Sequence, residues 1–281
     1  MHQKTVLITG CSSGVGRATA LDFLDEEWEV YATARNPADI ETLGERGANI
    51  ATLDVTDHGD VTRVVDRIID EEGRIDCLVN NAGYGQFGPI EDVPTEMVHD
   101  QFDVNVYGPH RLTRAVLPHM RSQGDGTIVN VSSVAGRISF PGGGVYSGSK
   151  FALEAMTDAL RAEVEAYDID AVLVEPGPVE TKFNQRVEAE VNGNGEDKDG
   201  IERSGAYEAV YKLFEDSQAL GGGGPGAIPP ERVAEDILNA ASSTKPKPRY
   251  QPGTVARVGV LGRFIPDSWR DALFGFARKL P

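Results

Sequence analysis

Alternation constrains this chain more than any other feature. Through the first 175 residues, short apolar runs recur with helical stretches between them: 4–9 (KTVLIT), 29–34 (EVYATA), 49–53 (NIATL), 77–80 (CLVN), 127–132 (TIVNVS) and 170–175 (DAVLVE). A strand that is apolar on both sides must be covered on both sides, which is the condition of a parallel sheet. The intervening stretches 15–26, 61–72, 97–121 and 146–166 carry helical patterns. Strand–helix alternation of this kind predicts an α/β fold, a doubly wound, Rossmann-like parallel sheet with right-handed crossovers. The 281 residues, 40% apolar and 25% charged, suit one domain spanning 1–281.

Beyond Pro176 the character changes. Residues 187–200 are acidic and glycine-rich, 204–220 read as a capped amphipathic helix, and Gly221–Gly224 is a run of four glycines. This pattern suits a substrate lid over 182–228, hinged at the glycine run, better than a second domain. A helix over 230–242 and a last strand over 249–251 follow. The extension 254–281 is basic, and from Pro266 its Trp269, Leu273, Phe276 and Leu280 recur at helical spacing. That face is expected to pack over the pocket or a neighbouring subunit rather than to touch a bilayer.

Charge excludes some functions. With 27 Lys and Arg against 44 Asp and Glu, the net charge is −17, a field that repels phosphate backbones and argues against nucleic-acid binding. Only 8 of the basic residues are Lys, and carboxylate excess with scarce Lys resembles a salt-adapted, haloarchaeal composition. No run of about 18 apolar residues exists, and the first strand begins at residue 4, so a cytoplasmic protein without transmembrane helix or signal peptide is expected. Cys11 and Cys77 are too few for a disulfide framework or a four-ligand zinc site, and the five His are scattered, so no metal is expected.

Two motifs carry chemistry. The first strand runs into Gly10-Cys11-Ser12-Ser13-Gly14-Val15-Gly16 and then a helix, where glycines permit a tight turn and the helix start offers N–H groups to an anion. Tyr146 and Lys150 form a Y-x-x-x-K pair on one helix face, where an ammonium beside a phenol is expected to draw its pKa down toward the working range. Either motif alone also fits a structural turn or two unrelated surface residues.

Their companions decide. Asn80-Asn81-Ala82-Gly83 follows the fourth strand, Asn105 lies in the next helix, Ser133 stands 13 residues before Tyr146, and Pro176-Gly177-Pro178-Val179-Glu180-Thr181 follows the sixth strand. In this order the motifs resemble the short-chain dehydrogenase/reductase family, over nearly the whole chain and nearest in pattern to steroid and retinol dehydrogenases of its non-extended branch. The resemblance implies that Tyr146 acts as general acid/base, Ser133 hydrogen-bonds the reacting oxygen, and Lys150 holds the nicotinamide ribose and lowers the tyrosine pKa. Asn105 would position a water linking Lys150 to solvent. Asp54 and Val55 match adenine-contacting positions, and Asn81, Ala82 and Gly83 ribose-approaching ones, although Asn81 also suits a brace for the sheet. Pro176 and Gly177 belong to the cofactor-binding turn, and Val179 and Thr181 match carboxamide-holding positions. A homodimer or homotetramer, paired through the long helices, is implied as well.

Cofactor choice turns on the second strand. An NAD enzyme of this fold carries an acid at its end for the ribose 2′-hydroxyl, whereas here Ala34 is followed by Arg35, with Ser12 nearby in the glycine turn. A guanidinium clasps a 2′-phosphate, so NADP is expected over NAD. Tyr84, Gln86, Phe87, Phe140, Pro141, Phe183 and Tyr207 are candidate pocket residues whose apolar tone favours a hydrophobic carbonyl or alcohol. The expected function is therefore an NADP(H)-dependent oxidoreductase interconverting a secondary alcohol and a ketone or aldehyde. The alternatives are a catalytically silent NADP-binding sensor or scaffold and a sugar-nucleotide epimerase of the extended branch.

Overall fold

A computed structural model describes residues 3–181, 201–215 and 226–277. Among them, seven parallel strands form one sheet: β1 (Thr5–Ile8), β2 (Glu29–Ala34), β3 (Asn49–Thr52), β4 (Cys77–Asn80), β5 (Gly126–Val131), β6 (Ile169–Val174) and β7 (Arg249–Tyr250). Their order is β3-β2-β1-β4-β5-β6-β7. The doubly wound sheet expected from the alternation is the one observed. The order reverses between β1 and β4, and that reversal opens a crevice at the carboxyl ends of the strands.

Alternation within each strand sorts the core into two layers. Val6, Ile8, Val30, Ala32, Val79, Val129 and Val172 face one side, under helices α1 (Gly14–Asp25) and Pro230–Ser242, which contribute Ala20, Phe23, Val233 and Ile237. Leu7, Tyr31, Leu78 and Ile128 face the other. There α2 (Glu41–Glu45) flanks β3, and α3 (His58–Glu72) supplies Val61, Val64, Val65 and Ile68 to the layer. The inner strands β2, β1, β4, β5 and β6 are thus covered on both faces, as their unbroken apolar runs require.

The helix expected over 97–121 is broken. The chain forms α4 (Thr95–Phe102), a π-helical turn (Asp103–Tyr107) and α5 (Gly108–Gln123). An α-helix through this point would need the N–H of Pro109 to reach the carbonyl of Asn105, and proline has none. The turn widens instead, and Gly108 N–H reaches back five residues to the Asp103 carbonyl. The helix that carries Tyr146 and Lys150, α6 (Gly144–Val164), runs unbroken.

After β6 the backbone pairs Val179 with Ile228 in a parallel bridge, joined by hydrogen bonds from Glu180 N to Ile228 O and from Ile228 N to Pro178 O. Between these anchors, α7 (Glu208–Glu215) is described. The rest of the expected lid, including Phe183, the acidic stretch and the hinge at Gly221–Gly224, lies outside the described residues. Then come α8 (Pro230–Ser242), β7, α9 (Thr254–Gly259), a 3₁₀ turn (Val260–Phe264) and α10 (Asp267–Ala277). No helix among the described residues is long and apolar enough to cross a membrane.

Candidate active site

The glycine turn lies at the crevice. Gly10 and Gly14 hold φ of +74° and +56°, backbone conformations that residues with a Cβ rarely adopt. A Cβ on Gly16 would collide with Asn81 Nδ2 and the Gly10 carbonyl oxygen, because Asn81 Nδ2 donates to the carbonyls of Thr9 (2.9 Å) and Gly10 (3.2 Å). Asn81 is therefore the brace that the sequence allowed for. Thr9 Oγ1 completes it by accepting from Asn81 N and Ala82 N, both at 3.0 Å. Ser13 caps α1 with extended backbone and no side-chain hydrogen bond to the first turn, so its own hydroxyl does not claim those N–H groups. A close-packed glycine turn opening onto a helix N-terminus fits the pyrophosphate of a dinucleotide.

Other expected cofactor residues converge on this mouth to differing degrees. Thr181 lies against Gly14, where a Cβ would come within 2.9 Å of its Cγ2, so the loop after β6 descends onto the glycine turn. Gly83 faces Asn105 Oδ1 and Lys150 Nζ. Pro176 accepts a hydrogen bond from Val134 N, and Gly177 packs on α9 at Val255 and Ala256. Arg35 follows buried Ala34 and is exposed at the strand end, as is Ser12 in the turn. Asp54 accepts from Thr56 N (2.9 Å) and Thr56 Oγ1 (2.7 Å) in a turn of its own. Val55 is buried in the core against Gly108, beside the π turn.

Tyr146, in the first turn of α6, is buried and hydrogen-bonded by Ser133, whose Oγ also accepts from Ala135 N at 3.1 Å. Lys150 follows one turn later, its Nζ donating to Val131 O at 2.9 Å and lying 5.9 Å from the centre of the Tyr146 ring. Asn105 Nδ2 donates to Tyr84 O (2.9 Å) and Ser149 Oγ (3.1 Å), Oδ1 accepts from Tyr84 N (3.2 Å), and Ser149 Oγ donates to Tyr146 O (2.7 Å). The side chain thus clamps the 84 turn to the catalytic helix. Both its N–H groups are committed to protein acceptors.

The expected fall in the tyrosine pKa is not what the structure gives. Burial pushes the Tyr146 phenol up to about 12, against a smaller downward pull from Ser133. Lys150 is buried too, and that burial draws it down to about 8, opposed by the Glu154 carboxylate. At neutral pH the phenol holds its proton, which is the form that donates to a carbonyl oxygen.

The sequence reading missed a cluster behind Lys150. Glu154 and Glu175 are buried, and Arg137 Nη1 lies 3.5 Å and 3.6 Å from them. Arg249 of β7 pairs with both and with Asp158. The available signal was periodicity, since Glu154 extends the Tyr146–Lys150 spacing by one more turn.

In front of the phenol lies an aromatic wall. Phe87 stacks on Phe140 (6.3 Å between centres) and tilts against Tyr146 (5.3 Å), and Val210, Tyr211 and Tyr207 of the 201–215 segment join the cluster. Tyr211 donates to Asp92 (2.8 Å) and Tyr207 to Glu91, tying that segment to the 87–93 turn. Gln86 is buried, its N–H donated to Gln101, so it supports this wall from behind.

Comparison with known proteins bears on this geometry. Residues 4–192 match the short chain dehydrogenase family. The chain is 37% identical over 273 residues to an uncharacterized oxidoreductase of Escherichia coli K12, covering 96% of this chain and 94% of that one. It is 31% identical over 281 residues to an NADPH-dependent 3-dehydrocapnine reductase of Ornithobacterium rhinotracheale, covering 96% of each. A crystal structure of a short-chain dehydrogenase from Streptomyces avermitilis superposes with a TM-score of 0.81 at 34% identity, over 99% of this chain and 97% of that one.

Proposed function

Because the chain belongs to the short-chain dehydrogenase/reductase family, and is an oxidoreductase of that family, we propose that it uses NADP(H) to interconvert a secondary alcohol and a ketone or aldehyde on a hydrophobic substrate. One observation carries the reading. A protonated phenol, Tyr146, is hydrogen-bonded by Ser133 and faces an aromatic wall at the mouth of the glycine turn.

In the reductive direction Tyr146 Oη donates its proton to the substrate oxygen, and Ser133 Oγ hydrogen-bonds the same oxygen as charge develops. Lys150 holds the ribose hydroxyls and its ammonium favours the phenolate left behind. The glycine turn and the start of α1 hold the pyrophosphate, and Arg35 with Ser12 holds a 2′-phosphate. A bound nicotinamide dinucleotide supplies or accepts the hydride. The wall of Phe87, Phe140 and Tyr207 excludes water from the reacting carbon, with the segment 182–228 acting as the lid that completes it. A relative named as an NADPH-dependent reductase supports both the cofactor and the direction.

NADPH oxidation against a panel of hydrophobic ketones and aldehydes tests the proposal. Tyr146→Phe should lower turnover by roughly 10²–10⁴ while NADPH binding, followed by fluorescence, holds. Substantial residual turnover would move the chemistry elsewhere, and no turnover of any substrate by the wild type would favour a cofactor-binding sensor. Arg35→Ala should weaken NADPH about tenfold or more and leave NADH unchanged. Equal efficiency with both cofactors in wild type and variant would overturn the NADP assignment.

A further inference from the structure

The strongest unexplained surface lies at the C-terminal end. Val258, Leu261, Phe264 and Trp269 are 61%, 58%, 79% and 73% exposed, and Ile265 is exposed as well. Leu261 and Phe264 sit three apart within a 3₁₀ turn, where such residues eclipse, and Val258, at the end of α9, lies three residues earlier on the adjoining turn. They form a row, not scattered apolar residues. Proteins that stay single in water seldom expose a contiguous row of this size.

We propose that this face of residues 258–269 rests on an anionic lipid surface as a monotopic contact. Charge chooses the occupant. Among the described residues from 254 on, Arg257, Arg263 and Arg270 stand against Asp267 and Asp271, a net positive stretch in a chain whose net charge is −17. Arg257 and Arg263 are exposed within the apolar row, whereas Arg270 pairs with Asp267 at 2.5 Å. A second copy joined symmetrically would set this basic patch against itself, since a two-fold interface uses the same surface twice. Anionic headgroups meet the arginines with opposite charge while Phe264 and Trp269 enter the acyl boundary. The location agrees. Gly259 lies against Val134 and Gly262 against Ile138, so the segment rests on the turn between Ser133 and Phe140, beside the aromatic wall and not across the sheet from it.

The full-length protein tests this by flotation with vesicles of phosphatidylglycerol and phosphatidylcholine, and with phosphatidylcholine alone. This readout needs no activity, so its failure and failure of the oxidoreductase reading are distinguishable. Wild type should float with the mixed vesicles and at least tenfold less with the neutral ones. Phe264→Ser with Trp269→Ser should abolish flotation without changing sedimentation or melting temperature. Arg257→Gln with Arg263→Gln should reduce it several-fold at low ionic strength and little at high ionic strength. Of the two tryptophans, Trp28 is buried and Trp269 exposed, so a blue shift of emission on adding mixed vesicles would report Trp269 entering lipid. Absence of wild-type flotation would overturn the proposal. So would a smaller sedimenting species in the Phe264/Trp269 variant, which would mark the row as an assembly face.

Discussion

Tyr146, Lys150 and Glu154 stand one turn apart along α6, and the influence of Glu154 on Lys150 is readable in the pH dependence. The Lys150 ammonium, held near 8, is present below that pH and lost above it. Tyr146, near 12, keeps its proton across the same range. Carbonyl reduction should therefore decline as pH rises through about 8, with the limb belonging to Lys150. Glu154 raises the Lys150 pKa and itself faces Lys150, Glu175, Arg137 and Arg249. Glu154→Gln should move the alkaline limb of kcat/KM to lower pH, measured with NADPH saturating. An unmoved limb accompanied by a lower melting temperature would leave Glu154 a packing role alone. At this scale the sequence displayed Tyr146, Lys150 and Ser133 through short spacings. Arg249 was invisible because it lies 95 residues from Glu154 and reaches it only through the pairing of β7 with β6.

Among elements, the π turn tests how far local sequence determines the site. The apolar pattern over 97–121 reads as one helix because widening by one residue alters hydrophobic periodicity very little, whereas Gly108-Pro109 held the warning. Pro109→Ala returns the missing N–H and permits a continuous α-helix, which rotates Asn105 away from Tyr84 and Ser149. Turnover should fall about tenfold or more while the melting temperature holds, since Pro109 sits in the first turn of α5, where proline is tolerated. Equal loss of stability and activity would mean that the turn serves folding only. The strands were legible almost to the residue because burial on both sides leaves an unbroken apolar signature. The docking of α7 on Phe87 and Tyr146 was not, since it depends on Tyr207 and Tyr211 finding acids more than a hundred positions away.

For the molecule as a whole, a net charge of −17 on a single sheet-and-helix body means self-repulsion, which added salt screens. The melting temperature should rise with salt, by roughly 2–4 °C for each kcal/mol recovered. A flat or falling response would count against the salt-adapted character that its carboxylate excess suggests. The pairing of Val179 with Ile228 decides which parts of the molecule can change length. It closes the chain on itself between β6 and β7, so the two strands keep their pairing whatever the length between the anchors. Length can change inside that closed stretch without disturbing strand register, but Tyr207, Val210 and Tyr211 within it pack with Phe87 and Tyr146 and have to stay in place. The pocket wall is thereby tethered to the Tyr146 helix and is not a module that can be swapped alone.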